Sequence, residues 1–275
     1  MVVGCGDIGY RVALILHRQG HQVTGIKRQD PIASSPIPIM TVDIRQASAL
    51  SALPDDFDLV LFIVSVDSRQ TEAYQALYST GLNNLLSHFV RGCRVTKWLM
   101  VSSTSVYGQN RGEWVDEESE IRPASLSAQW LVAAENALWE SDEANCVVRF
   151  SGIYGPGRDW LLRRASLGEP IQQLPPRYTN RIHRDDCVAV LSYLIEKMLG
   201  NEALQRCYLA SDDDPAPIWD VMTWMAKQYA YPLPVPLVNK PDAEQNKRCD
   251  NTSLKSLGYR FLFPSYRDGY FKMNS

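Results

Sequence analysis

Gly4-Cys5-Gly6-Asp7-Ile8-Gly9 sets three glycines at the spacing GxGxxG, three residues after Met1. The chemistry this pattern suits is the grip of a pyrophosphate. Gly4 permits a tight turn, Gly6 lets the backbone approach the phosphates, and Gly9 lets a helix pack closely on the preceding strand. The first amides of that helix then point partial positive charge at the ligand. An ordinary glycine turn is the alternative, and the flanking residues argue against it. Ile8, Val12, Ile15, Leu16 and Gln19 follow at helical spacing, Gly20 stands as a helix stop, and His21 to Ile26 reads as a second strand. This is a β-α-β unit with a dinucleotide site at its first turn, formed by Gly4, Gly6, Asp7, Ile8 and Gly9. Only Met1, Val2 and Val3 precede the glycines, whereas a buried strand usually has about five or six residues. The expectation is a natural start upstream of Met1.

The end of the second strand bears on the choice of dinucleotide. NAD-binding folds of this kind place an acid there to hold the ribose hydroxyls. Here the position is Lys27, followed by Arg28. Two cations suit the 2′-phosphate of NADP and leave the ribose of NAD without an acceptor. Asp30 is the one nearby acid that would serve NAD instead, so NADP is favoured and NAD stays open.

The elements that must position these groups alternate along the chain. Pro31 to Pro38 is loop. Ile39 to Val42 is a short strand ending at Asp43, and Gln46 to Leu53 a brief helix. Asp58 to Val64 is a nearly continuous apolar run, the mark of a central parallel strand, and delivers Ser65. Gln70 to Arg91 is a long helix. Lys97 to Val101 is another central strand, ending in Ser102-Ser103-Thr104-Ser105-Val106-Tyr107-Gly108. Ser125 to Ser141 is a second long helix and Ala144 to Phe150 the next strand. Gly152 to Arg158 reads as a turn-rich loop, and Arg181 to Asp186 leads into a helix reaching Leu199. This order implies an α/β fold, a Rossmann-type doubly wound parallel sheet with a smaller C-terminal substrate lobe. Residues 1–150 would form the NAD(P)-binding core and 151–275 mainly the substrate side, with 179–200 returning to the core. The ligand belongs at the C-terminal strand ends, where Gly4 to Gly9, Asp43, Ser65, Ser102 and the residues up to Tyr107 fall.

Bulk properties exclude several classes. The chain has 275 residues, 45% of them hydrophobic, and a formal net charge of −3, which does not suit a nucleic-acid partner. No run of about 18 apolar residues suggests a membrane span, and no secretory leader precedes the glycines. The cysteines at 5, 93, 146, 187, 207 and 249 form no CxxC pair and no metal-ligand spacing. They read as reduced, partly buried thiols of a cytoplasmic protein without a metal site.

Together these segments resemble an extended-type short-chain dehydrogenase/reductase, the superfamily of sugar-nucleotide epimerases and dehydratases. The likeness covers nearly the whole chain. It rests on Gly4 to Gly9, Asp43, Val101-Ser102-Ser103-Thr104-Ser105-Val106-Tyr107-Gly108, Arg149 to Gly157, and Arg181-Ile182-His183-Arg184-Asp185-Asp186, in the family's order and spacing. The resemblance implies that Ser103 is the active-site hydroxyl and that Asp43 contacts the adenine ring. The glycine motif is one residue shorter than the family's usual GxxGxxG. The family's catalytic Tyr-x-x-x-Lys is also missing: alignment on Ala134-Glu135 puts Ser127 in the tyrosine slot and Leu131 in the lysine slot. A phenol of pKa near 10 becomes a base at neutral pH only beside positive charge, and neither residue supplies that chemistry. Tyr193 with Lys197 has the spacing but lies on the wrong helix. Tyr107 with Arg111 and Tyr154 with Arg158 are the remaining pairs, and Tyr107 is kept as a catalytic candidate.

On the substrate side the same resemblance makes Arg181 a phosphate contact and puts His183 on the cleft. Arg158, Arg163 and Arg164 form a basic cluster beside it, and a solvated helix face explains 163 and 164 as well. A helix-capping role for His183, and for Asp185 or Asp186, is the plainer reading. Asp116 to Glu118 reads as an exposed loop, and Trp114, Trp130, Trp160 and Trp219 as core. The implied partner is a small molecule, phosphate-bearing in the sugar-nucleotide case, and a homodimer through helices 70–91 and 125–141 is the family's habit. Two functions remain open: an NADP(H)-dependent epimerase, dehydratase or reductase working without the usual pair, and a non-catalytic dinucleotide-binding sensor or interaction protein.

Overall fold

The computed structural model describes residues 1–29, 34–66, 70–90, 96–238 and 245–272, which leaves Asp30 and Cys93 outside the described residues. The first stretch is β1 (Val2–Val3), α1 (Asp7–Arg18), β2 (Gly25–Lys27), β3 (Ile39–Thr41), a 3-10 turn at Ala47–Ala52 and β4 (Leu59–Phe62). A long helix follows in three parts, α2 (Thr71–Tyr74), a π-helical segment Gln75–Gly81 and α3 (Leu82–Val90). Next come β5 (Lys97–Ser103), β6 (Glu113–Val115), α4 (Leu126–Ser141), β7 (Cys146–Phe150) and β8 (Gly152–Tyr154). The remainder runs α5 (Trp160–Ser166), β9 (Ile171–Leu174), β10 (Tyr178–Thr179), β11 (Arg181–His183), α6 (Arg184–Leu199) and β12 (Cys207–Ala210). It ends with β13 (Ala216–Pro217), α7 (Ile218–Gln228), β14 (Pro236–Val238), β15 (Lys247–Cys249), α8 (Thr252–Ser256) and α9 (Tyr266–Lys272).

Seven strands form one parallel sheet in the order β12-β7-β5-β4-β1-β2-β3. The order reverses between β1 and β4, the switch point at which open α/β sheets bind ligands. β4 is buried along its whole length, as its apolar run predicts. β2 is shorter than expected and starts at Gly25, because its ladder partner β1 offers only Val2 and Val3. Residues 152–154, expected as loop, form a strand paired in parallel with β11.

The chain divides into two compact units. The first comprises 1–106, 125–149 and 188–208; the second comprises 107–124, 150–187 and 209–275. In the first, α4 starts at a Ser125 cap, whose hydroxyl accepts the Ala128 N–H at 3.2 Å. Its buried stripe is Ala128, Leu131, Ala134, Glu135 and Leu138. The one charge on that stripe is neutralised by Arg149 of β7. The guanidinium grips both Glu135 oxygens at 3.1 and 2.6 Å, with 3% and 1% of the two side chains exposed. The second unit has its own core, in which Tyr154, Ile171, Ile218, Val221, Met222, Met225, Tyr266 and Tyr270 pack together.

A buried pair is costly to break and cheap to replace as a whole. Arg149→Met is expected to lower the unfolding free energy by about 3–5 kcal/mol, and the double variant Glu135→Leu/Arg149→Met by much less. Urea denaturation of the three proteins checks this. Equal losses in the single and double variants would contradict it.

Candidate functional site: a cavity at the sheet's switch point

The strand ends at the switch point enclose a cavity of about 200 Å³. Its glycine side is Gly4, Cys5 and Gly6. β2 contributes Ile26 and continues into Lys27, Arg28 and Gln29. β3 leads into Val42, Asp43 and Ile44, β4 into Ile63, Val64 and Ser65, and Leu77 closes one side. Gly4 has a left-handed backbone (φ +91°), and a β-carbon there would sit 2.0 Å from the Ile63 carbonyl oxygen. Only glycine fits. Gly6, by contrast, has open space on its Cβ side and an exposed backbone, as a phosphate cradle requires. Asp7 starts α1 and pairs with Arg11 at 3.0 Å on the surface. Ile8 and Gly9 are buried against the sheet.

The cavity rim is basic. Lys27 and Arg28 are half-buried, and Lys27 opposes the burial that pushes the Cys5 thiol up to about 11. Asp43 is held by its own turn. The Arg45 guanidinium reaches both carboxylate oxygens, Nε to Oδ1 at 2.8 Å and Nη2 to Oδ2 at 2.5 Å, and the Arg45 N–H donates to Oδ1 at 3.1 Å. These bonds hold the Asp43 carboxyl below its ordinary range. One wall came without a sequence signal. The π-helical segment carries Leu77 to the cavity and Tyr78 beside it, whose hydroxyl donates to the Val64 carbonyl at 3.1 Å. Periodicity does not register a one-residue widening of a helical turn.

β5 ends in Ser102 and Ser103. The Ser102 hydroxyl is buried and has no hydrogen-bond partner among the described residues. Ser103 Oγ accepts the Ser105 N–H at 3.1 Å, which leaves its own proton free to donate. Ser127 lies in the first turn of α4, its Oγ 3.0 Å from Ser125 Oγ, and Leu131 one turn on is buried.

The profile of the NAD dependent epimerase/dehydratase family matches residues 1–214. The chain belongs to that family. Among solved structures it is similar to a putative NAD-dependent epimerase/dehydratase from Methylobacillus flagellatus, at 32% identity and TM-score 0.82, covering 99% of this chain and 96% of that one. It shares its fold with a UDP-glucuronic acid 4-epimerase from Bacillus cereus in complex with NAD, at 18% identity and TM-score 0.78, covering 98% and 94% of the two chains. Protein YeeZ of Escherichia coli strain K12 is 24% identical over 96% of this chain and 95% of its own.

In the second unit of this epimerase/dehydratase relative, the residues named from sequence serve mostly as internal braces. Tyr107 is fully buried, and its carbonyl accepts the Lys247 ammonium at 2.7 Å. Arg181 is 4% exposed; it donates to the Asp214 carbonyl at 3.3 Å, the Thr179 carbonyl at 3.0 Å and the Thr179 hydroxyl, and lies over the Tyr266 ring. His183 accepts the Asp185 N–H on Nδ1 at 3.2 Å and stacks on Phe263, ring centroids 3.9 Å apart. Arg158 is half-buried in the turn after β8. Its expected partners are engaged elsewhere, Arg163 with Asp159 and Arg164 with Glu169.

Several expectations are corrected. Asp186 does not cap α6: its carboxylate accepts the Leu262 and Phe263 N–H groups and the Tyr259 hydroxyl, at 2.7, 3.0 and 2.9 Å. Glu117 is not merely exposed loop, since it accepts the Leu209 N–H and the Ser253 hydroxyl. Trp114 and Trp160 are exposed rather than core. A guanidinium lies over each exposed ring, Arg248 on Trp114 and Arg164 on Trp160.

Asp212, which no motif marks, is 1% exposed, and burial pushes its carboxyl from an ordinary 3.8 up to about 8, against the pull of Arg181. The folded chain therefore keeps a proton that the unfolded chain releases near pH 4, so this group's contribution to stability falls as pH rises from about 4 to about 8. Asp212→Asn is expected to flatten the fall of the melting temperature across that window. An unchanged slope relative to wild type would contradict it.

Proposed function

We propose that the chain binds a nicotinamide dinucleotide in the switch-point cavity, NADP ahead of NAD. The observation that carries this reading is the cavity itself, with the open Gly6 backbone on one side and Lys27 and Arg28 on the other. Among the described residues lining it, the one carboxylate is Asp43, and Arg45 already engages both its oxygens. That favours a ligand bringing negative charge, as a 2′-phosphate does, over a ribose seeking an acceptor.

The bound nicotinamide would accept or deliver hydride, and the second unit would take a carbonyl or sugar-nucleotide-like substrate. In this reading Ser127 and Leu131 fill the slots where relatives carry tyrosine and lysine. The chain's own contribution is then the Ser103 hydroxyl, free to donate to a substrate oxygen. Tyr107 fits a general-base role poorly because its ring is enclosed. The basic groups Arg158 and Arg181 and the packed His183 would shape the substrate side. A cytoplasmic setting is part of this reading and rests on the reduced cysteines; no described helix is long and apolar enough to cross a membrane. Dimerisation through the helical faces at 71–90 and 126–141 belongs to the same proposal.

A second reading has an observation of its own. Leu131 lies on the buried stripe of α4, so that position is committed to packing and not to a lysine's charge. A non-catalytic dinucleotide sensor would bind and be stabilised without turnover.

Turnover of sugar nucleotides and carbonyl compounds with NADP(H), lost in Ser103→Ala, supports the enzyme; thermal stabilisation by NADP with no turnover across that panel supports the sensor. Arg28→Met is expected to weaken NADP roughly 10- to 100-fold while leaving NAD nearly unchanged. Tenfold tighter binding of NAD than of NADP by the wild type would overturn the preference.

A further inference from the structure

We propose that Arg248 is the centre of a second ligand site, one that takes the oxyanion, phosphate or carboxylate, of a small molecule. Three stretches of the second unit converge on this one guanidinium. β15 pairs in parallel with β6, and the register sets Arg248 directly opposite Trp114. The guanidinium lies 4.9 Å from the Trp114 ring and 4.9 Å from the Tyr178 ring. Its Nε donates to the Gly112 carbonyl at 2.8 Å.

The surrounding backbone is built to hold this stack. Gly112 has φ +79°, and a β-carbon there would press on the Tyr178 ring at 3.2 Å. Asn246 ties the pieces together: its carbonyl accepts the Gly112 N–H at 2.7 Å, and its side chain accepts the Tyr178 N–H at 2.8 Å and donates to the Pro176 carbonyl at 3.1 Å. None of these residues lines the dinucleotide cavity, and this proposal does not rest on the cofactor reading.

What the stack leaves unused points to the ligand. Arg248 makes one hydrogen bond, through Nε, and has no carboxylate partner among the described residues. Three of the other well-held arginines grip a carboxylate, and Arg181 commits its Nη groups to carbonyls and a hydroxyl. Arg149 grips Glu135, Arg164 grips Glu169, and Arg45 grips Asp43. With Nε anchored and two rings packed on the guanidinium, the two Nη groups of Arg248 remain as a planar fork of donors. A fork of that geometry matches two oxygens of a phosphate or a carboxylate. Stacking on two rings fixes its orientation before a ligand arrives, which removes an ordering cost that a mobile surface arginine would incur on binding. Trp114 is 54% exposed although one side of it is covered, so the site opens to solvent.

Calorimetric titration with inorganic pyrophosphate and with malonate tests this on the full chain, wild type against Arg248→Met and Arg248→Lys. The expected result is saturable binding of at least one anion by wild type, weakened at least tenfold in Arg248→Met and to an intermediate degree in Arg248→Lys, which keeps the charge and loses the fork. The tighter-bound probe identifies phosphate or carboxylate. The glycine cradle is unchanged in these variants, so only binding lost with Arg248 counts. Melting temperatures taken alongside separate a folding defect from lost binding, and Arg248→Lys serves where Arg248→Met does not fold. Binding equal in wild type and both variants, or no binding by wild type, overturns the proposal and leaves Arg248 a cross-strand clip only.

Discussion

Gly4 has no room for a side chain, and the switch-point cavity depends on that. Its left-handed backbone brings the end of β1 against the Ile63 carbonyl, where a β-carbon would collide at 2.0 Å. This crossing joins the glycine turn to the end of β4 at the point where the sheet order reverses. Other contacts lock the neighbouring chain ends to the same spot. Tyr78 holds the Val64 carbonyl from the π-helical segment, and the Asn84 side chain donates to the Ile44 carbonyl at 3.0 Å. The cavity is thus a by-product of backbone packing, which fixes its shape before any ligand arrives.

Buried charge is handled in four different ways elsewhere, and each marks scaffold. Glu135 and Arg149 neutralise each other. Asp186 stays anchored by two backbone N–H groups and a phenol. Lys247, its ammonium pushed down by burial, donates to a backbone carbonyl and to the Gln245 side chain. Asp212 instead has its carboxyl pushed up by burial. The half-buried cations at the cavity rim, Lys27 and Arg28, stand apart from these internal solutions.

The parts of this arrangement legible in the sequence were those with local signals. Glycine spacing, helical periodicity in α1 and α4, and the apolar run of β4 carry their own geometry, and the structure has each of these elements. Strand boundaries were less legible because a ladder is only as long as its partner: His21 to Thr24 lie outside the sheet where Val2 and Val3 are the strand available to pair. The strand at Gly152–Tyr154 was hidden because its partner lies about thirty residues on. Side-chain roles were hardest to read. Asp186 and Glu117 look like surface acids in sequence, and the backbone groups they bind come from remote segments. Of the cavity residues, Gly4, Gly6, Lys27, Arg28, Asp43 and Ser65 were named from sequence; Leu77 was missed, and so was the Arg45 grip on Asp43, although a spacing of two residues within one turn could have suggested it.

A crystal structure of the chain grown with saturating NADP tests the central claim most directly. The account predicts the pyrophosphate against the Gly6 and Asp7 backbone, with the adenosine in the cavity and its 2′-phosphate on Arg28. An empty switch-point cavity at saturating NADP, or a dinucleotide bound elsewhere on the chain, would contradict it.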